Sequence, residues 1–170
     1  MILRELVKEN IIQRGEFKLK SNQTSNIYIN LKNIISFPKL NLQICDMIYS
    51  KIRDDNNLIC GTPYGAVPFS SYISIKHNIP MIFIRKEQKD YGTKKLVEGN
   101  YNQNDKVILI EDVVTSGNSV FETASKLEEH GVIVSQIITV FSRNNNKCLK
   151  FKDIPIEYLF HISDLDVDKI

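Results

Sequence analysis

The stretch Val107–Ser119, VILIEDVVTSGNS, constrains this chain more than any other. Val107–Ile110 is apolar throughout and reads as a buried strand. The carboxylates Glu111 and Asp112 follow at its carboxyl end, with a hydroxyl-rich turn directly behind them. In a parallel sheet, ligands bind beyond the carboxyl ends of the strands. Carboxylates there can accept hydrogen bonds from sugar hydroxyls or hold a hydrated metal ion. The turn Thr115–Ser119 leads into a helix start, where free N–H groups and the helix dipole favour a phosphate. Gly117 lets the backbone come close, and Thr115, Ser116 and Ser119 add hydroxyls. Alone, Asn118 or Ser119 would be an ordinary helix cap. The whole pattern favours acids for a ribose and a turn for its phosphate. The nucleotide-binding pattern GxxxxGKS/T is absent. A receiver domain carries its acid pair after the first strand, whereas this pair lies at position 111.

The rest of the chain supplies an α/β frame. Leu3–Arg14 has apolar residues at helical spacing, with Gly15 as a stop. Phe17–Leu19 and Ile27–Leu31 alternate as short strands do. Pro38–Ile52 reads as a helix with Leu42, Cys45, Ile48, Tyr49 and Ile52 on one face. Leu58–Cys60 is a strand feeding the turn GTPYG, Val67–Ile75 a helix and Pro80–Ile84 a strand. Ser119–His130 is helical, with Val120, Ala124 and Leu127 inward and Gly131 as its end. Val132–Phe141 and Ile156–Phe160 are further strands. Strands alternating with helices predict a mainly parallel central sheet flanked by helices. Residues 1–170 read as a single domain. Arg85–Tyr101 has no apolar stripe and reads as a long mobile loop of the kind that is usually functional.

Composition excludes several classes. Net charge is +2, no case for nucleic acid binding. Cys45, Cys60 and Cys148 form no CxxC pair and suit reduced thiols in a cytoplasmic protein. The N-terminus has no signal-peptide core. Leu58–Ile75 is uncharged but broken by Pro63 and Pro68, so no membrane span is expected. His77, His130 and His161 lie outside every motif and read as structural or surface residues.

VILIEDVVTSGNS resembles the phosphoribosyl-pyrophosphate (PRPP) motif of type I phosphoribosyltransferases. The loop RKEQKDYGTKKLVEG resembles that of the orotate phosphoribosyltransferases, above all the form fused to orotidylate decarboxylase in animals. The similarity runs from the N-terminal helix to about Phe160. It implies the type I fold with a small N-terminal hood. It implies transfer of 5-phosphoribosyl from PRPP to orotate with Mg²⁺, giving orotidine 5′-monophosphate and pyrophosphate in UMP synthesis.

By position, PRPP contacts fall on Glu111, Asp112, Val113, Val114, Thr115, Ser116, Gly117, Asn118 and Ser119, and on Lys20, Tyr64, Arg85, Lys86, Lys89 and Tyr91. Orotate contacts fall on Lys20, Tyr28, Ile29, Thr115 and Arg143. Lys86, Lys89 and Asp112 take the catalytic roles. Mg²⁺ is expected on PRPP's own oxygens, with no direct protein metal site. The resemblance implies a homodimer whose loop reaches the neighbouring site; work alone and work with a separate orotidylate decarboxylase both stay open. The alternatives are transfer to another base and a non-catalytic PRPP-sensing regulator.

The chemistry suits these residues. An oxocarbenium-like transition state needs charge stabilised on departing pyrophosphate and water kept out. The segment from Arg85 to Lys95 sets Arg85, Lys86, Lys89, Lys94 and Lys95 against Glu87 and Asp90. A closing cationic loop meets both needs. Arg143 can grip a carboxylate with two parallel hydrogen bonds. The sequence departs from related forms at several places. Tyr91 replaces the histidine of many bacterial members, and Gly65 stands where they often carry lysine. Asn30 and Lys32 replace the Asp and Arg of the animal form. Ser142 replaces Asp, and Asn144–Lys147 replaces an acidic, glycine-rich run.

Overall fold

The computed structural model describes residues 2–18, 24–54, 57–87, 95–144 and 149–165. In chain order the elements are α1 (Ile2–Lys8), β1 (Ile12–Lys18), β2 (Thr24–Ile29) and a 3-10 turn at Leu31–Ser36, then α2 (Pro38–Tyr49), β3 (Leu58–Gly61) and α3 (Val67–His77). They continue with β4 (Phe83–Ile84), β5 (Val97–Glu98), β6 (Lys106–Val114), α4 (Asn118–Glu129), β7 (Ile133–Ser142), β8 (Lys150–Phe151), β9 (Ile154–His161) and a 3-10 turn at Ile162–Leu165.

The central sheet has the order β3-β6-β7-β9-β8. Its β3, β6, β7 and β9 run parallel, and β8 closes the edge antiparallel to β9. The expected α/β class with a mainly parallel sheet is therefore present. Both faces of the sheet are covered, which explains why β6 is apolar without a break. Ile108 and Ile110 enter one core with Ile44, Ile48, Phe69 and Ile73 of α2 and α3. Val107 and Leu109 enter a second core with Val120, Ala124 and Leu127 of α4. Successive side chains of a strand point to opposite faces, so one strand serves two cores.

Two expectations need correction. The helix predicted over Leu3–Arg14 ends at Lys8. Asn10 turns left-handed at φ 54, and Ile11 N–H reaches back to the Leu6 carbonyl at 2.9 Å. That closure ends the helix, and Ile12 then pairs with Ile29 across the β1–β2 hairpin. The apolar residues at 11 and 12 fit either period, and strand pairing decides between them. In α2 the inward face is Leu40, Ile44, Cys45 and Ile48, while Leu42 is among the exposed hydrophobics. The β1–β2 hairpin forms the N-terminal hood. Within the predicted loop, β5 pairs with β4, and residues 88–94 lie outside the described residues. Among the described residues no helix is long and apolar enough to cross a membrane.

Candidate active site

Strand β6 carries the site past the sheet. Glu111 is only 4% exposed, and its Oε1 accepts Thr62 Oγ1–H at 2.6 Å and the Asp112 N–H at 3.0 Å. Burial, then the neighbouring Asp112 carboxylate, push the Glu111 carboxyl up to about 8. With two donors on Oε1, the proton belongs on Oε2. Asp112, half-buried, stays nearer the surface, and its Oδ1 accepts the Val113 N–H at 2.9 Å. The acids expected to share one role thus occupy different environments. Glu111 braces β6 against β3, and Asp112 faces the site.

The sign of the pH effect follows from the raised value. Folding favours protonated Glu111, so its contribution is full below about 4.5 and is lost as pH rises to about 8. Urea unfolding of the wild type is expected to show falling stability over that window, with a limiting slope of about 1.4 kcal/mol per pH unit from this group. Glu111→Gln should flatten the decline. An equally steep decline in the variant would remove Glu111 as its source.

The predicted turn is shorter than expected: residues 115–117 bend, and Asn118 and Ser119 already open α4. Thr115, Ser116, Asn118 and Ser119 are exposed, while Val114 is buried and packs into the core. Gly117 has φ 89, and a Cβ there would lie 2.8 Å from the Phe121 ring. The first bond of α4 is the Phe121 N–H to the Gly117 carbonyl at 2.9 Å, and no side chain caps the helix. Of the amides ahead of that bond, the Asn118 N–H makes a long contact to Ser116 Oγ at 3.5 Å, and those of Ser119 and Val120 remain for an anion.

The turn after β3 faces β6. Its Pro63–Tyr64 peptide is cis. Tyr64 is 56% exposed, its ring 6.5 Å from that of Phe83 and 5.1 Å from Lys86 Nζ. A Cβ on Gly65 would sit 2.0 Å from Asp112 Oδ2. On this backbone a lysine could not enter at 65 without moving that carboxylate. Arg85 is paired with Glu98 at 3.0 Å. Among the described residues Lys86 makes no ion pair. Pro63, Arg85, Lys86, Ser119 and Lys126 border a cavity of about 210 Å³ between the loop and α4.

Arg143, after β7, does not project freely. Its Nη1–H donates to the Ile27 carbonyl at 3.0 Å and its Nη2–H to Ser25 Oγ at 2.7 Å. It thereby fastens the hood to the sheet. Burial lowers its pKa, yet a guanidinium remains charged. Tyr28 stacks on Phe17 at 5.3 Å, and Ile29 is buried. Lys20, Lys89 and Tyr91 lie outside the described residues.

Thr62 and His161 emerge from the structure as neighbours of the site that the sequence had not marked, and Gly65 and Asn144, marked there only as departures from related forms, join them. The GTPYG turn could have pointed to Thr62 and Gly65, since it follows a strand. For Asn144 and His161 no local pattern exists. Among the described residues no group of three His, Cys, Asp or Glu side chains could hold a metal ion. Cys45 and Cys60 are buried free thiols pushed up to about 12, mainly by burial; Cys148 lies outside the described residues.

A parallel strand ending in an acid, a helix start without a side-chain cap and the cations Arg85 and Lys86 border the same turn region. Residues 31–169 match the phosphoribosyl transferase domain, and the chain belongs to that family. Its relatives specify the branch. It is 42% identical over 132 residues to uridine 5′-monophosphate synthase of Bos taurus, covering 76% of this chain and 28% of that protein. It is 40% identical over 141 residues to orotate phosphoribosyltransferase of Pyrococcus horikoshii, covering 81% and 76%. The chain thus spans less than a third of the bovine protein and about three quarters of the archaeal one. The crystal structure of orotate phosphoribosyltransferase from Aeropyrum pernix shares the fold, with a TM-score of 0.84 at 21% identity over 97% of this chain and 96% of that one.

Proposed function

We propose that the protein is an orotate phosphoribosyltransferase, which transfers 5-phosphoribosyl from PRPP to orotate and releases pyrophosphate. The observation that carries this reading is that β6 delivers Asp112 and the turn after it to the same end of the sheet as Arg143 and Lys86. Kinship at 40% identity to an archaeal orotate phosphoribosyltransferase supports the choice of base.

In this reading the turn amides hold the 5′-phosphate and Asp112 holds the ribose hydroxyls, leaving the anomeric carbon exposed. Lys86, stacked over Tyr64, and Lys89 neutralise the departing pyrophosphate. Mg²⁺ fits as a companion of PRPP: Asp112 is a single accessible carboxylate that can reach it through water. When bound, the ion supplies positive charge to the pyrophosphate oxygens. Arg143 commits one donor from each terminal nitrogen to the hood, and its other N–H groups remain for the orotate carboxylate. Orotate would then lie against the hairpin near Tyr28 and Ile29.

The reducing interior of a cell suits the buried thiols Cys45 and Cys60. A homodimer with an exchanged loop, a single domain over residues 1–170 and a separate decarboxylase complete the proposal.

The test is loss of orotate absorbance with PRPP and Mg²⁺, with uracil, hypoxanthine and adenine as rivals. Consumption of orotate alone, requiring both PRPP and Mg²⁺, is expected. Consumption of a rival base, or of none, would sink the assignment. Lys89→Ala is expected to lower kcat by about 100-fold while melting as wild type, because its charge acts late. An unchanged kcat would remove the loop from the chemistry.

A further inference from the structure

The Ser142–Asn144 segment and the end of β9 meet beside the phosphate turn. Ser142 and His161 are register partners in the parallel β7–β9 pair, so both strands end at this edge. His161 is 6% exposed, although it lies at a strand end. Its ring is held on both sides. Nδ1 lies 3.1 Å from the Ser163 N and 2.8 Å from Ser163 Oγ, and Nε2 lies 2.9 Å from the Asn144 carbonyl. A backbone N–H can only donate, so Nδ1 accepts and Nε2 carries the hydrogen. The neutral Nε2–H tautomer therefore donates to Asn144. The His161 N–H is itself fixed by Asp164 Oδ2 at 2.7 Å.

Asn144 passes this constraint on. Its Nδ2–H donates to the Thr115 carbonyl at 2.5 Å. The Thr115–Ser116 peptide is planar, and in a trans peptide the N–H points opposite to the carbonyl. A fixed Thr115 carbonyl therefore fixes the direction of the Ser116 N–H, on the side away from Asn144. We propose that His161 and Asn144 are positioning residues that hold the Thr115–Ser116 peptide in its phosphate-binding orientation. This rests on the phosphate role given above to the turn.

Ribose 5-phosphate is the direct probe, since it offers the sugar phosphate without pyrophosphate. Isothermal titration should show Asn144→Ala and His161→Phe binding it about fivefold to tenfold more weakly than wild type, the effect of one lost hydrogen bond. His161→Gln keeps an N–H donor near Nε2 and should bind within about twofold of wild type. In turnover, the KM for PRPP should rise by the same factor, while kcat stays put. A purely structural role would not give that split or that rescue.

Wild-type affinity in Asn144→Ala would overturn the relay, as would a His161→Gln protein no better than His161→Phe. Asn144 is only half-buried, so its variant decides the matter even where a His161 variant fails to fold. Wild-type protein that takes no ribose 5-phosphate would overturn the phosphate role of the turn, and the relay with it. Binding by wild type with no loss in Asn144→Ala would overturn the relay alone.

Discussion

Alanine at Gly65 is expected to lower kcat/KM for PRPP by about 100-fold while leaving the melting temperature close to wild type. The added Cβ would stand 2.0 Å from Asp112 Oδ2 and 2.5 Å from its Cγ. No carbon tolerates that approach, so something shifts. Gly65 is buried between Tyr64 and Ala66 and leads straight into α3, whereas the Asp112 carboxylate is the end of a half-buried side chain. The carboxylate therefore swings away, by an ångström or more. Misplacement on that scale at a reacting centre costs about 100-fold. Thr62, Glu111 and the β3–β6 pairing are untouched, so the fold survives. Steady-state kinetics and a melting curve on the same preparation separate the two effects. Wild-type kcat/KM in Gly65→Ala would show that Asp112 is not placed for ribose.

Phe69→Ala is expected to destabilise the protein by about 3–5 kcal/mol, the usual cost of emptying a buried aromatic position. Phe69 is fully buried on α3, in the core it shares with Ile44, Ile48, Ile108 and Ile110. Its carbonyl also lies 4.0 Å from Cys45 Sγ. The cavity would open at the junction of α2, α3 and β6, where relaxation is restricted by three elements at once. Urea unfolding followed by circular dichroism measures the loss, and Phe69→Leu should recover much of it. A change below about 1 kcal/mol would mean that the helices do not pack on the sheet as described. Because α3 begins just after Gly65, Phe69→Ala should also loosen the turn that borders Asp112.

The chain announces its central strand by itself. An unbroken apolar run belongs to a strand buried on both faces, and β6 is one. The spacing of Val120, Ala124 and Leu127 gave α4 with its buried face correctly. The position of the acids and the glycine turn after that strand follows from chain continuity alone. These are local properties, set by neighbours in sequence and by backbone periods of 2 and 3.6 residues.

Tertiary packing decided the rest. Glu111 and Asp112 are adjacent and chemically alike in sequence, yet Thr62, 49 residues away, buries one and leaves the other at the site. Arg143 reads as a strand-end cation, and only the folded hairpin, 116 residues earlier in the chain, takes up its donors. His161 sits in no motif, and its place beside Asn144 exists because β7 and β9 end in register. Side-chain type and order along the chain determine which strand carries the site. Burial and hydrogen bonding between distant segments determine which atom of each residue is free to act there, because desolvation and donor geometry exist only once those segments meet.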